Sequence, residues 1–127
     1  MAIERDLDIV TARQTGRELA ATCGFSRTDQ TIIALAISEI ARNIIAYATR
    51  GYMMLGRVYE PGRRGIIIIA RDDGPGIADL ELAMRDGYST GHSLGVGLPG
   101  TRRVMDEFEI VSATGAGTTV TMKKWLR

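Results

Sequence analysis

The sequence has little of the chemistry that cysteine and histidine provide, with one residue of each type among 127. Because Cys23 has no partner within the chain, an internal disulfide is excluded, and this favours a reducing, cytoplasmic compartment. One cysteine and one histidine are too few for a classical zinc site, which takes four such ligands. Zinc-site chemistry is therefore excluded, and Cys/His catalysis is not expected.

The sequence also lacks an excess of charge of one sign, since 16 Lys and Arg face 15 Asp and Glu, for a net charge of +1. Such a balance gives no general attraction to nucleic acid or to an anionic membrane. The unbroken apolar runs at residues 44–48 and 66–70 are far shorter than a membrane span. Residues 1–8 alternate in charge and do not resemble a signal peptide. We expect neither nucleic acid nor a membrane as a partner.

The composition is that of a globular protein, with 45% hydrophobic and 24% charged residues. This length allows one core, so we expect a single domain over residues 1–127. Glycine is unevenly placed, because nine of the 15 glycines lie between Gly74 and Gly117. Such clustering favours loops in which the backbone approaches a ligand closely.

Hydrophobic periodicity predicts two helices followed mainly by strands. The first helix is expected to have Asp8 as its N-cap and to end at Gly24, and the second to begin at Ser26, where Ser-x-x-Asp precedes an apolar run. Strands are expected over residues 51–59, 65–71, 108–113 and 118–125, with helical turns over 80–85 and a helix from 98 to about 107. This order predicts an α+β two-layer sandwich, with helices on one face of a mostly antiparallel sheet.

The second helix carries a carboxylate and an amide four residues apart, Glu39 and Asn43, at the shoulder of its apolar arc. Ser38 and Arg42 are expected to point the other way. A carboxylate can orient or deprotonate a nucleophile, and an amide oxygen is a suitable ligand for Mg²⁺. The alternative is an exposed glutamate that an asparagine follows by chance.

A sharp turn, Asp72-Asp73-Gly74-Pro75-Gly76, follows the isoleucine-rich strand directly. A carboxylate at the end of a strand can accept a hydrogen bond from an exocyclic amine such as that of adenine. Glycines at 74 and 76 would let the ring approach the backbone. The alternative is a tight turn with a solvated pair of aspartates.

A third motif, Gly95-Val96-Gly97-Leu98-Pro99-Gly100, leads into a predicted helix. Backbone N–H groups and the positive end of a helix favour phosphate. The dinucleotide-binding interpretation is rejected because no strand precedes the motif and no βαβ unit surrounds it. A protein-kinase glycine loop and a P-loop are also excluded, since their accompanying motifs are missing. The alternative is a flexible loop before a capped helix.

In this order, and with Gly117-Thr118-Thr119 entering the last strand, the motifs resemble those of the GHKL ATP-binding family, which has the Bergerat fold. The resemblance covers about residues 26–125. The segments 38–43, 73–77 and 97–100 resemble the small serine/threonine kinases of the bacterial stressosome.

The resemblance implies a Mg-ATP-dependent protein serine/threonine kinase. Asn43 would bind Mg²⁺ that bridges the ATP phosphates, and Glu39 would orient the attacking hydroxyl or act as a base toward it. Asp72 would contact the adenine amine. The other nucleotide contacts implied are Gly74 and Gly76 beside the base, Gly95, Val96, Gly97 and Leu98 along the phosphates, and Thr118 or Thr119 near the adenine.

The same resemblance implies a STAS-domain protein as the substrate and a PP2C-type phosphatase that is activated after a switch of partner. Arg13 on the first helix corresponds to a partner-contact region in related proteins. An alternative function is an anti-sigma factor of the same fold that sequesters a sigma subunit. A further alternative is a non-catalytic, ATP-gated adaptor, against which Glu39 argues.

Overall fold

The computed structural model describes residues 1–76 and 97–127. The expected helical turns over 80–85 therefore lie outside the described residues, as do Gly95 and Val96. The elements in chain order are β1 (Ala2–Ile3), α1 (Asp6–Cys23), α2 (Arg27–Ala48), β2 (Gly51–Glu60), β3 (Arg63–Asp72), α3 (Gly97–Val104), β4 (Glu107–Ala113) and β5 (Gly117–Trp125).

The strands form one five-stranded sheet in the order β1-β2-β3-β5-β4, and every neighbouring pair is antiparallel. β3, which contains the run Ile66–Ile69, lies between β2 and β5. β-branched side chains suit such a central position because they pack well on a pleated surface. The predicted antiparallel sheet is confirmed, and the short β1 is an addition that the sequence pattern did not indicate.

Alternation along the strands separates a helix-covered face from an open one. Met53, Ile68 and Met122 are buried and belong to the same hydrophobic cluster as residues of α1 and α2. Tyr52 and Met54 flank Met53 on β2 and point to the opposite face, where they are 65% and 66% exposed. Within the described residues, helices therefore cover one face only, and the predicted α+β two-layer sandwich is confirmed.

α2 begins as the sequence predicts, because the Ser26 hydroxyl accepts a hydrogen bond from the Asp29 backbone N–H at 3.1 Å. Its isoleucine stripe is buried. Ser38 was expected to point away from the core, and this prediction is wrong, since it is 4% exposed and donates to the Ala34 carbonyl at 2.9 Å. The reason is that α2 contacts α1, α3 and the sheet, so its buried arc is wider than the stripe.

By length and composition, α2 could cross a membrane, with a mean hydropathy of 1.4. Half of the most apolar window is buried inside the fold, and core helices of globular proteins meet the same criterion. Unbroken apolar runs did not reveal that α2 is long and apolar enough to span a membrane, because polar residues interrupt its hydrophobic sequence.

The start of α1 differs from the prediction. Arg5 is the N-cap, and Asp8 is the third residue of the helix. The Asp8 carboxylate accepts hydrogen bonds from the backbone N–H groups of Glu4 at 2.9 Å and Arg5 at 3.0 Å. It therefore closes the helix start from inside the first turn, as the acidic member of a capping box does.

The end of α3 also differs, since the helix stops at Val104 and not near Glu107. The buried Lys124 ammonium donates to the Val104 carbonyl at 2.9 Å and so satisfies a carbonyl at the helix end. Glu107 already belongs to β4, where it pairs with Lys123.

The Asp8 cap predicts a pH dependence of stability. Hydrogen bonds from the backbone N–H of Glu4, and then of Arg5, lower the pKa of the Asp8 carboxyl below its ordinary value of 3.8. Stabilisation of this kind is complete above the unfolded pKa and is lost as the pH falls through the folded pKa. We expect Asp8→Asn to be less stable than wild type near pH 7, and the difference should shrink progressively as the pH falls below 3.8. Urea unfolding measures the difference, and a difference that stays constant as the pH is lowered would contradict the assignment.

Candidate functional site

At one end of the sheet, β3 ends beside the C-terminal part of α2. A Cβ added to Gly51 would lie 2.9 Å from the Ile44 side chain and 3.1 Å from Asp72 Cβ. A Cβ added to Gly74 would lie 2.6 Å from Ala48 Cβ. α2 therefore lies directly against the strand end that carries Asp72.

Glu39 is buried in α2, with only 1% of its surface exposed. Its Oε2 accepts a hydrogen bond from Arg42 Nη1 at 3.2 Å, so the two form an ion pair within the helix. The alternative of an exposed glutamate is thus wrong. Arg42 was expected to point away from the apolar arc, and from the helix surface, with 34% of its side chain exposed, it reaches back to this carboxylate. A buried carboxylate requires a partner of this kind because burial without one is costly.

Asn43 lies one turn after Glu39 on the same helix and is half-buried. Within residues 1–76 and 97–127, no group of three His, Cys, Asp or Glu side chains is placed to hold a metal ion. A Mg²⁺ ion at Asn43 would take one amide oxygen from the protein and further oxygens from a bound phosphate. This sparse donor set fits Mg²⁺, which commonly binds through one or two protein groups together with substrate phosphates.

Asp72 and two hydroxyls form a polar group at the strand end. The half-buried Asp72 is the register partner of Thr118 in β5, and Thr118 Oγ1 lies 2.8 Å from Ser112 Oγ in β4. Asp72 Oδ1 accepts from the Gly74 backbone N–H at 2.9 Å, which closes the turn. A carboxylate acceptor and two hydroxyls are thus grouped where β3 ends.

Ser112 is a site residue that the sequence analysis missed. Its alternation with Val111 places it on the helix-covered face, and its register partner is Thr118. The alternating pattern of β4 predicts the face on which Ser112 lies, but only the pairing of β4 with β5 shows which residue Ser112 lies against.

The pairing of β5 with β3 and β4 shows on which face of the sheet each of the two candidate threonines lies. Thr119 pairs with Arg71 and Val111, which are both exposed on the open face of the sheet. Thr118 is on the opposite side with Asp72, because successive strand residues point to opposite faces. Of the pair, only Thr118 shares the face of the site.

The site glycines have a structural reason of their own. A Cβ on Gly76, at φ +77°, would lie 2.1 Å from the Ala113 carbonyl oxygen, and one on Gly117, at φ +80°, would lie 2.2 Å from the Asp72 carbonyl oxygen. At Gly76, close approach of a ligand to the backbone was expected. In the structure, the turn after β3 packs against the β4–β5 turn at these positions, so the protein's own backbone requires them.

α3 begins within the glycine-rich motif of residues 95–100. Gly97 is its first residue, at φ +70°, and its carbonyl accepts from the Thr101 hydroxyl at 2.9 Å. Leu98 is partly buried and packs on the hydrophobic core. α3 contacts α2, so the helix that starts at the motif is attached to the helix that carries Glu39 and Asn43.

Arg13 is exposed on α1, one turn after the exposed Val10. Leu7, one turn earlier, is 61% exposed. The outer surface of α1 therefore combines apolar and basic side chains that a partner can reach.

Comparison with known proteins agrees with this geometry. A family model described as "Histidine kinase-like ATPase domain" matches residues 4–124. The chain is 50% identical to the serine/threonine-protein kinase RsbT of Bacillus subtilis (strain 168), over 98% of this chain and 94% of that protein. It is 33% identical to the anti-sigma F factor of Halalkalibacterium halodurans, over 91% of this chain and 82% of that protein. The identity to the anti-sigma F factor of Thermoanaerobacter sp. (strain X514) is 32%, over 74% and 68%.

Substitutions at two glycines in the β4–β5 region test the close approach of this region to Asp72. Gly115 and Gly117 have nearly the same φ, +79° and +80°, but an added Cβ meets nothing within 4 Å at Gly115. We expect Gly115→Ala to cost about 1 kcal/mol of unfolding free energy, from left-handed strain alone. Gly117→Ala should cost about 3 kcal/mol or more, because the Asp72 carbonyl must also move. Equal costs in urea unfolding would contradict the close approach.

Proposed function

The chain belongs to the histidine kinase-like ATPase family, and from this premise we propose that it is a Mg-ATP-dependent protein serine/threonine kinase that also works by partner switching. The resemblance of its motifs to the GHKL family is confirmed by the family match over residues 4–124. The observation that carries the proposal is the buried Glu39 one turn before Asn43 on α2. The 50% identity to a serine/threonine-protein kinase supports it.

In this proposal the two α2 side chains divide the work of phosphoryl transfer. Asn43 would hold Mg²⁺ through its amide oxygen, and the ion would supply positive charge beside the ATP phosphates. Glu39 orients the serine or threonine hydroxyl of the substrate and accepts its proton as the hydroxyl oxygen bonds to the γ-phosphorus and the bond from that phosphorus to ADP breaks. Such reactions depend mostly on positioning and charge stabilisation, which one rigid helix can provide.

The adenine end of the site uses the strand end. Asp72 accepts a hydrogen bond from the exocyclic amine, and the Ser112–Thr118 hydroxyl pair supports the same region. Gly97 and the start of α3 offer backbone N–H groups to the phosphates. The adenine role is supported by the pairing of Asp72 with Thr118, and the phosphate role by the position of Gly97 as the first residue of α3.

The substrate in this proposal is a STAS-domain protein, and a PP2C-type phosphatase is the partner that is activated after the switch. Both proteins would act with the chain in the cytoplasm, as part of bacterial stress signalling. The exposed surface of α1 around Val10 and Arg13 supports contact with a partner, since it joins apolar and basic groups.

An anti-sigma factor is the second candidate, because relatives at 32% and 33% identity carry that name. In that case the chain would bind a sigma subunit as its main partner. Pull-down from the native host followed by mass spectrometry separates the candidates. Recovery of a sigma subunit without a STAS-domain protein would favour the second.

The kinase proposal predicts different effects for the two α2 side chains. Glu39→Gln should lower transfer of label from ATP to a STAS-domain protein by about 10²- to 10⁴-fold while ATP affinity stays the same, because only proton acceptance is lost. Asn43→Ala should weaken both Mg-ATP binding and transfer. Phosphotransfer assays and titration with a fluorescent ATP analogue measure the two quantities.

The matched control is Glu109→Gln, which removes the same charge at an exposed position of β4. It should leave both binding and transfer unchanged. Full transfer by Glu39→Gln would remove the proposed role of Glu39. Wild-type protein that binds ATP and transfers nothing to a STAS-domain protein would remove the kinase proposal.

A further inference from the structure

Arg42 has an unusual position beside the proposed base. Its guanidinium Nη1 lies 3.2 Å from Glu39 Oε2, one turn away on the same helix. The Glu39 side chain is 2% exposed, whereas that of Arg42 is 34% exposed. The pair therefore joins a buried carboxylate to a cation that reaches from the helix surface.

This arrangement restricts the Glu39 carboxylate. A glutamate side chain has several rotatable bonds, and a hydrogen bond from a charged donor favours one orientation of its carboxylate. Both partners are attached to one rigid helix, which is the kind of support that keeps a reacting group in place. Because Arg42 keeps contact with water, its own desolvation is incomplete. The pair therefore has a smaller desolvation free-energy cost than a fully buried one.

We propose that Arg42 is a positioning residue for phosphoryl transfer. Its guanidinium holds Glu39 Oε2 and thereby orients the carboxylate toward the attacking hydroxyl. This inference rests on the proposed role of Glu39 as the group that receives the hydroxyl proton. Arg42 acts through Glu39 and not on the nucleotide, so its loss reduces the rate of transfer and leaves ATP affinity unchanged.

The first experiment compares three single variants of the full chain with labelled ATP and a purified STAS-domain protein. Arg42→Met should lower the transfer rate by about 10- to 100-fold, since small displacements of a reacting group have effects of this size. Arg42→Lys keeps a cation and should recover part of the rate. Arg27→Met removes an exposed arginine from the start of the same helix and should have no effect.

The second experiment separates positioning from a general structural effect. In a Glu39→Gln background, addition of Arg42→Met should cause no further loss of transfer, because Arg42 then has no carboxylate to orient. Losses that multiply in the double variant would overturn the inference. Affinity for a fluorescent ATP analogue, within about 2-fold of wild type, verifies that each variant retains a folded site.

The outcomes distinguish this inference from the proposed function. If wild-type protein transfers label and Arg42→Met does so at the wild-type rate, the role of Arg42 is overturned while the kinase proposal remains. If Arg42→Met loses ATP affinity as much as transfer, Arg42 acts on the nucleotide and the inference is also overturned. If wild-type protein transfers no label, the kinase proposal fails and this inference fails with it.

Discussion

The burial of the Glu39 carboxylate in α2 is the constraint on which the rest of the structure depends. A carboxylate is removed from water only where packing surrounds it and a partner compensates for its charge. Contacts of α2 with α1, α3 and the sheet provide the first condition, and Arg42 provides the second. The same helix contributes the isoleucine stripe of the core, so the stability of the fold and the placement of Glu39 have a common origin.

The other half of the site depends on how closely two turns approach each other. Gly76 and Gly117 allow the turn after β3 to pack against the β4–β5 turn, and the Gly115 backbone N–H donates to the Pro75 carbonyl at 2.7 Å. The β3–β5 register places Asp72 beside Thr118, and this packing joins the two turns that adjoin the pair. Polar groups on such a supported turn need little rearrangement to meet a ligand, which favours binding.

Local patterns predicted the elements, whereas the tertiary contacts decided the details of the site. The Ser26 cap and the isoleucine periodicity of α2 are local, and both are confirmed. The burial of Ser38 depends on neighbours of α2 that are distant in sequence, so one helical arc could not reveal it. The role of Asp8 was misjudged because an aspartate at the N-cap and one at the third helical position bond to similar N–H groups. At glycines such as Gly76, the sequence did not show whether a ligand or the protein's own backbone occupies the space where a Cβ would lie.

The choice between an enzyme and a nucleotide-gated binding module depends on Glu39, since a shared fold does not determine activity. A module that only binds Mg-ATP needs an oxygen ligand such as Asn43 and an acceptor such as Asp72. It gains nothing from a second carboxylate that is buried one helical turn from that ligand. Burial of that carboxylate with a dedicated arginine has a free-energy cost, and acceptance of a proton during transfer is a function that justifies it. The Glu39–Arg42 pair therefore argues for chemistry at this site as well as binding.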